Sequence, residues 1–380
     1  MNNTPQLQLN ETDKIFALIL QGGLGSRVLQ TSFIRSLIRK RKEANLDCPI
    51  LVIDNSLIGN MVSAAMQNQN IHGIQIPEPP NSFPHHPGIM KLADGTSEHP
   101  VWIDSWRDNF KNFNTGGSLY NLLNNNWERA YSIEYGFSTT KKINLCKLKN
   151  EKNSFIAYHF AKTMDLSYDG GRPMLKRTIH SKELENFTNG LSKPFVLIHL
   201  GCDTNTNDYM SSLNYRFYKS WSLVRWTELI QKLGHKYTFI NVYAHQYNPE
   251  IPGAISLKVD NLNAILQLAE HKHFKFFIAT DNFMHHLLAS IQVPGIVLWM
   301  GGGSPFVWGW RKDQGVNHFH VFNIHSCDNI FCYRPSLFDI DASGKQWVCD
   351  KGFNCGKSIS VDQVLREVKK VEEYIETNKN

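Results

Sequence analysis

The first part of the chain alternates a buried strand, a glycine turn, a helix and a second buried strand. The apolar run 14–21 has the length of a strand, and residues 26–44 place apolar side chains on one helical face. The run CPILVIDNS, which begins at residue 48, predicts a second strand. Two strands joined by a crossover helix pair in parallel, so the pattern predicts a βαβ unit.

The second half of the sequence repeats this alternation. Strand patterns begin at FVLIHLG, YTFINVYA, FKFFIATD and GIVLWM, and helical patterns lie between them. Residues 170–194 predict a linker, and the run IHGIQIPEPPNSFPHHPG over 71–88, rich in proline between 77 and 87, predicts a loop. Short helical patterns alternate over 117–165, and 360–377 predict a terminal amphipathic helix with Ser360 as a candidate cap. The whole pattern predicts an α/β protein with two Rossmann-like domains facing a cleft.

Length and charge narrow the class of protein. The chain has 380 residues and is 42% hydrophobic, which suits two globular domains. We expect neither a transmembrane helix nor a signal peptide, and therefore a cytoplasmic protein with reduced thiols. The net charge of +6 fits phosphorylated or nucleotide-linked substrates or a nearby anionic membrane. It is too small for a nucleic-acid-binding protein.

Glycine turns follow the first strand and the last strand of the alternation. Backbone N–H groups in such turns can approach a phosphate or a sugar, and a plain tight turn is the alternative. The sequence is neither GxGxxG nor a Walker A motif. The candidate binding residues are Gly22, Gly23, Gly25, Ser26 and Arg27 in the first turn, and Gly302, Gly303 and Ser304 in the second.

Three further side chains lie where open α/β sheets bind ligands. Lys219 precedes a helix and can neutralise a diphosphate leaving group, although a solvated lysine is the alternative. Asp281 ends a strand, and it can hold a ligand, cap the next helix, or both. His286 follows five residues later, with a purely structural role as its alternative.

These pieces together resemble one family. The segments KSWSLVRWTELIQKLGHKYTFINVY and FFIATDNFMHHLLASIQVPGIVLWMGGGSP are similar to the C-terminal half of the ADP-heptose glycosyltransferases, glycosyltransferase family nine. Matching positions occur in the family's order, and ILQGGLGSRVLQTSFIRSL resembles its first strand, turn and helix. The matching positions are Lys219, Trp221, Asp281, His286, Leu287, Ala289, Pro294, Gly301 and Pro305.

The resemblance implies a GT-B architecture. It implies an acceptor domain over 1–190, a sugar-nucleotide domain over 191–324, and a terminal helix over 359–380 that packs back on the first domain. It also implies metal-free inverting transfer from ADP-heptose to a hydroxyl. Lys219 would steady the departing diphosphate, and Asp281 would hold sugar hydroxyls with His286 beside it.

One position departs from the family pattern. Ser26 stands where the family usually has an aspartate that acts as general base, and a serine hydroxyl has no basic form near neutral pH. Asp104 and Asp108 are the candidates for that role, because aromatic neighbours can raise a carboxylate pKa. The alternatives are an acceptor that needs little deprotonation, or a non-catalytic protein that binds sugar nucleotides.

Four cysteines fall within residues 325–358, namely Cys327, Cys332, Cys349 and Cys355. Four thiolates suit tetrahedral iron or zinc, while buried thiols and disulfides are the alternatives. The tail from VFNIHSC onward resembles that of bacterial autotransporter heptosyltransferases, which implies an iron-bound structural finger and a serine acceptor on an autotransporter-like protein. Lipopolysaccharide or another surface glycan is the alternative acceptor. Homo-oligomerisation stays open.

Overall fold

The protein is described from a computed structural model. The described residues are 16–20, 24–45, 47–54, 56–75, 130–132, 155–158, 167–200, 221–243, 250–300, 303–327 and 354–378. They fall into two compact units. The first takes residues from 1–144, 157–169 and 174–176, and the second takes residues from 145–156, 170–173 and 177–380.

The first unit is built on a parallel sheet with the order β3-β2-β1-β4. Its strands are β1 (Phe16–Ile19), β2 (Ile50–Asp54), β3 (Ile71–Gln75) and β4 (Ala130–Ser132). The helices are α1 (Leu24–Gln30), α2 (Ile34–Glu43) and α3 (Ile58–Ala65). The predicted strands at 14–21 and from 48 onward correspond to β1 and β2, so the expected βαβ unit is confirmed.

The helix predicted over 26–44 is interrupted. A 3-10 turn at Thr31–Phe33 separates α1 from α2. The Thr31 hydroxyl donates to the Val28 carbonyl at 2.7 Å and accepts from the Met174 backbone N–H at 3.1 Å. The apolar face is as predicted, because Val28, Phe33, Ile34 and Leu37 are fully buried and Ile38 nearly so.

The second unit carries a parallel sheet with the order β10-β9-β8-β5-β6-β7. Such a sheet, with the chain winding outward in both directions from its middle, is the doubly wound arrangement. The strands are β5 (Phe195–His199), β6 (Thr238–Tyr243), β7 (Ala254–Lys258), β8 (Phe274–Thr280), β9 (Gly295–Leu298) and β10 (His318–Val321). Such strands are buried on both faces, which explains the continuous apolar runs in β5, β8 and β9.

Polar caps start most helices of this unit. The helices are α4 (Lys182–Asn189), α5 (Leu223–Leu233), α6 (Leu262–Ala269), α7 (Phe283–Ala289), α8 (Pro305–Trp308), α9 (Asn354–Ser358) and α10 (Val361–Thr377). Ser222 caps α5 and Asn261 caps α6, each by accepting from a backbone N–H. Ser360 and Gln363 form a capping box on α10, which confirms the predicted cap.

Several elements differ from the sequence prediction, and β7 and β10 were not predicted at all. Residues 71–75 form β3 rather than loop, and 130–132 form β4 within a region expected to be helical. The predicted linker contains α4, which belongs to the second unit together with the rest of 177–190. Asn263 and Gln267 of α6 hold this segment by hydrogen bonds to its backbone. Among the described residues, no helix has the length and apolarity needed to cross a membrane.

The terminal helix α10 packs inside the second unit. Its valines Val361, Val364, Val368 and Val371 share a core cluster with residues of β5, β8, β9 and α5. Trp221 donates from Nε1 to the Ile359 carbonyl at 2.9 Å, and Arg225 donates to the Gly356 carbonyl at 2.9 Å. These contacts all lie within the second unit, and packing of the terminal helix on the first domain stays a prediction.

We expect Trp221→Phe to destabilise the protein by about 1 kcal/mol more than Trp226→Phe. Both indoles are buried and pack edge to face at 5.1 Å, so each change removes a similar apolar volume. Only Trp221 has a hydrogen bond to lose, because Trp226 Nε1 has no hydrogen-bond partner among the described residues. Urea unfolding of the two variants measures the difference, and equal midpoints would contradict the assigned role of the Ile359 bond.

Candidate functional site

The winding of the second sheet reverses between β5 and β8. The loops that leave these strands diverge at their carboxyl ends, which is where open parallel sheets bind ligands. His199 ends β5 and Thr280 ends β8, followed by Asp281 and Asn282. Asn282 Nδ2 lies 3.1 Å from His199 Nδ1 and 3.3 Å from Thr280 Oγ1. The two strand ends are therefore joined by polar side chains at the expected ligand position.

Asp281 is held at this edge with its carboxylate largely buried. A Cβ added to Gly303 would come within 2.1 Å of Asp281 Oδ2, so the glycine backbone lies directly against the carboxylate. The other oxygen, Oδ1, lies 3.6 Å from His285 Nε2, and the backbone N–H of Asp281 donates to the Leu298 carbonyl. A fixed carboxylate at a strand end can accept hydrogen bonds from the hydroxyl groups of a ligand.

The helix caps near this edge are Asn282 and Ser304. Asn282 Oδ1 accepts from the Met284 N–H at 2.9 Å, so Asn282 rather than Asp281 caps α7. The prediction that Asp281 could cap this helix is therefore wrong. Ser304 Oγ accepts from the Phe306 N–H at 3.2 Å and caps α8, which begins with Pro305.

A group of histidine and tryptophan side chains lies beside Asp281, and we call it the His–Trp cluster. Within it, the rings of His285 and His286 are 3.9 Å apart between centroids, and those of His285 and Trp299 are 5.4 Å apart. Trp310 Nε1 donates to His286 Nδ1 at 3.0 Å in a buried hydrogen bond. The cluster consists of His285, His286, His318, His320, Trp299, Trp308 and Trp310.

Two histidines of the cluster are kept neutral by their surroundings. Burial lowers the pKa of His318 well below its ordinary value, assisted by the nearby His285 and His320. Neither ring nitrogen of His318 has a hydrogen-bond partner among the described residues, and its ring packs edge-on against Phe277. Burial also lowers the pKa of His320 to about 4, although its hydrogen bond to the Trp310 carbonyl acts in the opposite direction.

In the first unit, the predicted glycine turn leads into α1. Gly25, Ser26 and Arg27 lie in the first turn of this helix, and Ser26 is buried. Arg27 lies close enough to Asp54, at the end of β2, to lower the pKa of that carboxyl, but burial of Asp54 outweighs this and raises it. Asp54 accepts from the N–H groups of Ser56, Ile58 and Gly59, so it fixes the start of α3. These hydrogen bonds give Asp54 a structural role.

Two of the four clustered cysteines are described. Cys327 is partly exposed, Cys355 is buried on α9, and neither forms a disulfide within the described residues. No metal-ligand group of three or more residues occurs in the described parts of the chain, which leave out Cys332 and Cys349. The other predicted site residues outside the described parts are Gly22, Gly23, Lys219, Asp104, Asp108 and Gly302.

Sequence reasoning missed most of the His–Trp cluster. Only His286 was identified, from its distance after Asp281. The HH pair in NFMHHLLA also carried a signal for His285, because residues four apart lie on the same face of a helix and 285 follows 281 by four. His320, Trp299 and Trp310 had no such signal, since the fold alone brings them together.

Comparison with protein families finds no match, and no curated protein matches by sequence. The fold, in contrast, is shared with solved glycosyltransferases. All of the similarities reported below have 13–16% identity, so they establish the fold.

One of these structures is TibC from enterotoxigenic Escherichia coli H10407, described as an iron-containing dodecameric glycosyltransferase. It is 14% identical, with a TM-score of 0.56 over 96% of this chain and 77% of that one. TibC has also been solved in complex with ADP-D-β-D-heptose. The ADP-heptose lipopolysaccharide heptosyltransferase II of E. coli is 13% identical, with a TM-score of 0.52 over 96% and 99%. A family 9 glycosyl transferase from Veillonella parvula DSM 2008 is 16% identical, with a TM-score of 0.54 over 96% and 98%.

Proposed function

We propose that the protein is an inverting glycosyltransferase that transfers heptose, or a related sugar, from an ADP-linked donor to a hydroxyl group. The observation that carries the proposal is the buried Asp281 carboxylate, fixed between Gly303 and His285 where the second sheet reverses its winding. The choice of ADP-heptose as the donor is supported by the fold that this chain shares with TibC and with heptosyltransferase II.

Each predicted donor-site residue has one role in this proposal. Asp281 accepts hydrogen bonds from sugar hydroxyls, with His286 beside it. Lys219 neutralises the charge that develops on the ADP leaving group, which lowers the barrier to its departure. The turn holding Gly302, Gly303 and Ser304 brings backbone close to the donor. No metal takes part in the transfer, and Asp104 or Asp108 accepts the proton of the acceptor hydroxyl.

For the acceptor, we propose serine hydroxyls of an autotransporter-like protein, on the strength of the tail beginning VFNIHSC. A lipopolysaccharide or other surface glycan is the alternative, and the shared fold of heptosyltransferase II favours it. A protein that only binds sugar nucleotides is the second alternative. It is favoured by Ser26, which stands buried on α1 where the resemblance places a basic aspartate.

One experiment separates these functions. The purified protein is mixed with ADP-heptose and with each candidate acceptor, and both ADP release and acceptor mass are measured. We expect ADP release together with the mass of one heptose on serine. Transfer to a lipid-linked glycan alone would reject the protein acceptor, and donor binding without turnover would reject the enzyme.

We further propose that Cys327, Cys332, Cys349 and Cys355 hold one structural iron. Zinc is the alternative, because four thiolates bind either metal. A reducing cytoplasm would keep the four cysteines as thiols, and the deprotonated thiolate is the form that binds metal. Four protein ligands leave the ion no open position, so it would stabilise the fold and take no part in transfer. The description of TibC as iron-containing supports iron.

Metal analysis tests the finger directly. We expect about one iron per chain in the purified protein, lost on Cys355→Ser because a three-thiolate site binds far more weakly. Cys48→Ser is the matched control, since Cys48 is also a buried cysteine but lies in the first unit. Well under one metal per chain in the unmodified protein would reject the site. Light scattering on the same sample tests whether the protein forms an oligomer, as TibC does.

A further inference from the structure

The His–Trp cluster contains a continuous run of hydrogen bonds that ends on His286. Trp299 Nε1 donates to His320 Nδ1 at 2.9 Å, and His320 Nε2 donates to the Trp310 carbonyl at 2.8 Å. Trp310 Nε1 then donates to His286 Nδ1 at 3.0 Å. The run connects Trp299 after β9, His320 of β10, Trp310 after α8 and His286 in the last turn of α7.

This run fixes where the protons lie. An indole Nε1–H can only donate, so each imidazole nitrogen facing a tryptophan must be an unprotonated acceptor. The remaining proton of each neutral ring is then on Nε2. For His320 this assignment agrees with the contact of its Nε2 with the Trp310 carbonyl, which can only accept. For His286 the same logic leaves an Nε2–H group, a hydrogen-bond donor, and removes Nδ1 as a base.

Trp310 is itself held firmly. Its side chain is fully buried and packs against Phe155, with 4.8 Å between ring centroids. The preceding Gly309 allows the close approach, because a Cβ there would meet the Pro305 carbonyl oxygen at 2.4 Å and His320 Cε1 at 2.9 Å. A side chain with so little freedom can impose one orientation on the imidazole it contacts.

We propose that Trp310 is a positioning residue for the donor site: it holds His286 as a neutral imidazole that presents Nε2–H and is unable to accept a proton at Nδ1. The inference rests on the proposed function, in which His286 lies beside the sugar held by Asp281. His286 then acts as a hydrogen-bond donor, while proton removal from the acceptor falls to another group.

The charge state of His286 depends on a defined set of neighbours. His285 on the same helix is the closest titratable ring, and it connects His286 to the Asp281 carboxylate through the 3.6 Å contact. The other titratable or charged neighbours lie on other elements. They are His318 and His320 on β10, and Arg311 beside Trp310. Loss of the Trp310 N–H would remove the donor that keeps Nδ1 of His286 unprotonated, so either ring nitrogen could carry the proton.

The test compares Trp310→Phe with Trp308→Phe. Trp308 is the matched control, because its ring lies edge-on to the same imidazole at 6.3 Å. Nitrogen-15 NMR of the histidine rings reports the tautomer directly and needs no substrate. In the unmodified protein and in Trp308→Phe we expect His286 as the Nε2–H form. In Trp310→Phe we expect a mixture of the Nδ1–H and Nε2–H tautomers, because Nδ1 no longer has to accept the hydrogen bond from the indole.

Activity provides the second measurement. We expect Trp310→Phe to lower kcat/KM for the ADP-sugar about tenfold, the equivalent of one buried hydrogen bond. Trp308→Phe should change it less than about threefold, because the hydrogen bond to Nδ1 of His286 comes from Trp310. A single Nε2–H tautomer that survives Trp310→Phe would overturn the proposal. If the unmodified protein transfers no sugar, the proposed function fails while the NMR result still decides the role of Trp310.

Discussion

Asp281→Asn is expected to lower kcat/KM for ADP-heptose about 100-fold while leaving the fold intact. Asparagine keeps the shape of the side chain and its place against Gly303, so burial changes little. It loses the negative charge, and hydrogen bonds from two sugar hydroxyls to a charged acceptor contribute about 3 kcal/mol together. Steady-state kinetics of ADP release measures the loss, and near-ultraviolet circular dichroism checks the fold.

Two further variants sharpen this test. Asp260→Asn removes the same charge from an exposed position and should leave transfer unchanged. Gly303→Ala should impair transfer as Asp281→Asn does, because its new Cβ would displace the carboxylate from its present position. Full activity in Asp281→Asn would mean that the carboxylate does not bind the donor, and the proposed site would have to be abandoned.

The free energy of unfolding of the second unit is expected to fall as the pH drops from about 6.5 to about 5, by about 1.5 kcal/mol because of His320 and further because of His318. His318 and His320 stay neutral in the folded protein because burial lowers both pKa values, whereas each takes a proton near pH 6.5 once the chain unfolds. Below pH 6.5 the unfolded state therefore binds more protons, and stability falls as the pH drops toward about 4.

His318→Leu should weaken this pH dependence, because leucine fills the site against Phe277 without a titratable group. His235→Gln changes an exposed histidine and should leave the pH dependence as it is. Urea titrations followed by tryptophan fluorescence at several pH values report both effects. A free energy of unfolding that stays constant from about pH 7 to about pH 5 would show that these rings gain protons without unfolding.

The elements that sequence predicted best are those buried on both faces. Strands such as β5 and β8 are continuous apolar runs, and the capping box at Ser360 is a local signal. The elements that were missed depend on contacts from elsewhere. β7 is largely exposed and lacks an apolar run, and β3 contains Gly73, which is required because α3 crosses it within contact distance. In sequence that glycine, followed by prolines, has the pattern of a loop.

Some residues of the candidate site could be placed from the sequence, and others could not. Asp281 and Gly303 follow predicted strands, so their approach at one edge of the sheet follows from the topology. The contacts of Trp310 do not follow from the topology. They require the parallel register of β9 with β10 and the close approach of Gly309 to His320. Leu223 has the same apolar spacing as Trp226 and Ile230 in α5 but is 41% exposed, since it stands in the first turn, where the helix has only begun to pack.

The burial of α10 in the second unit has a consequence for biosynthesis. The row formed by Val361, Val364, Val368 and Val371 completes a core whose other side is supplied by β5, β8 and β9. Those strands are synthesised before the valines leave the ribosome. The apolar faces of the strands are therefore exposed to solvent until α10 is complete. The second unit can therefore reach its native state only after α10 has emerged, and until then it is a natural client for chaperones that shield exposed hydrophobic surface.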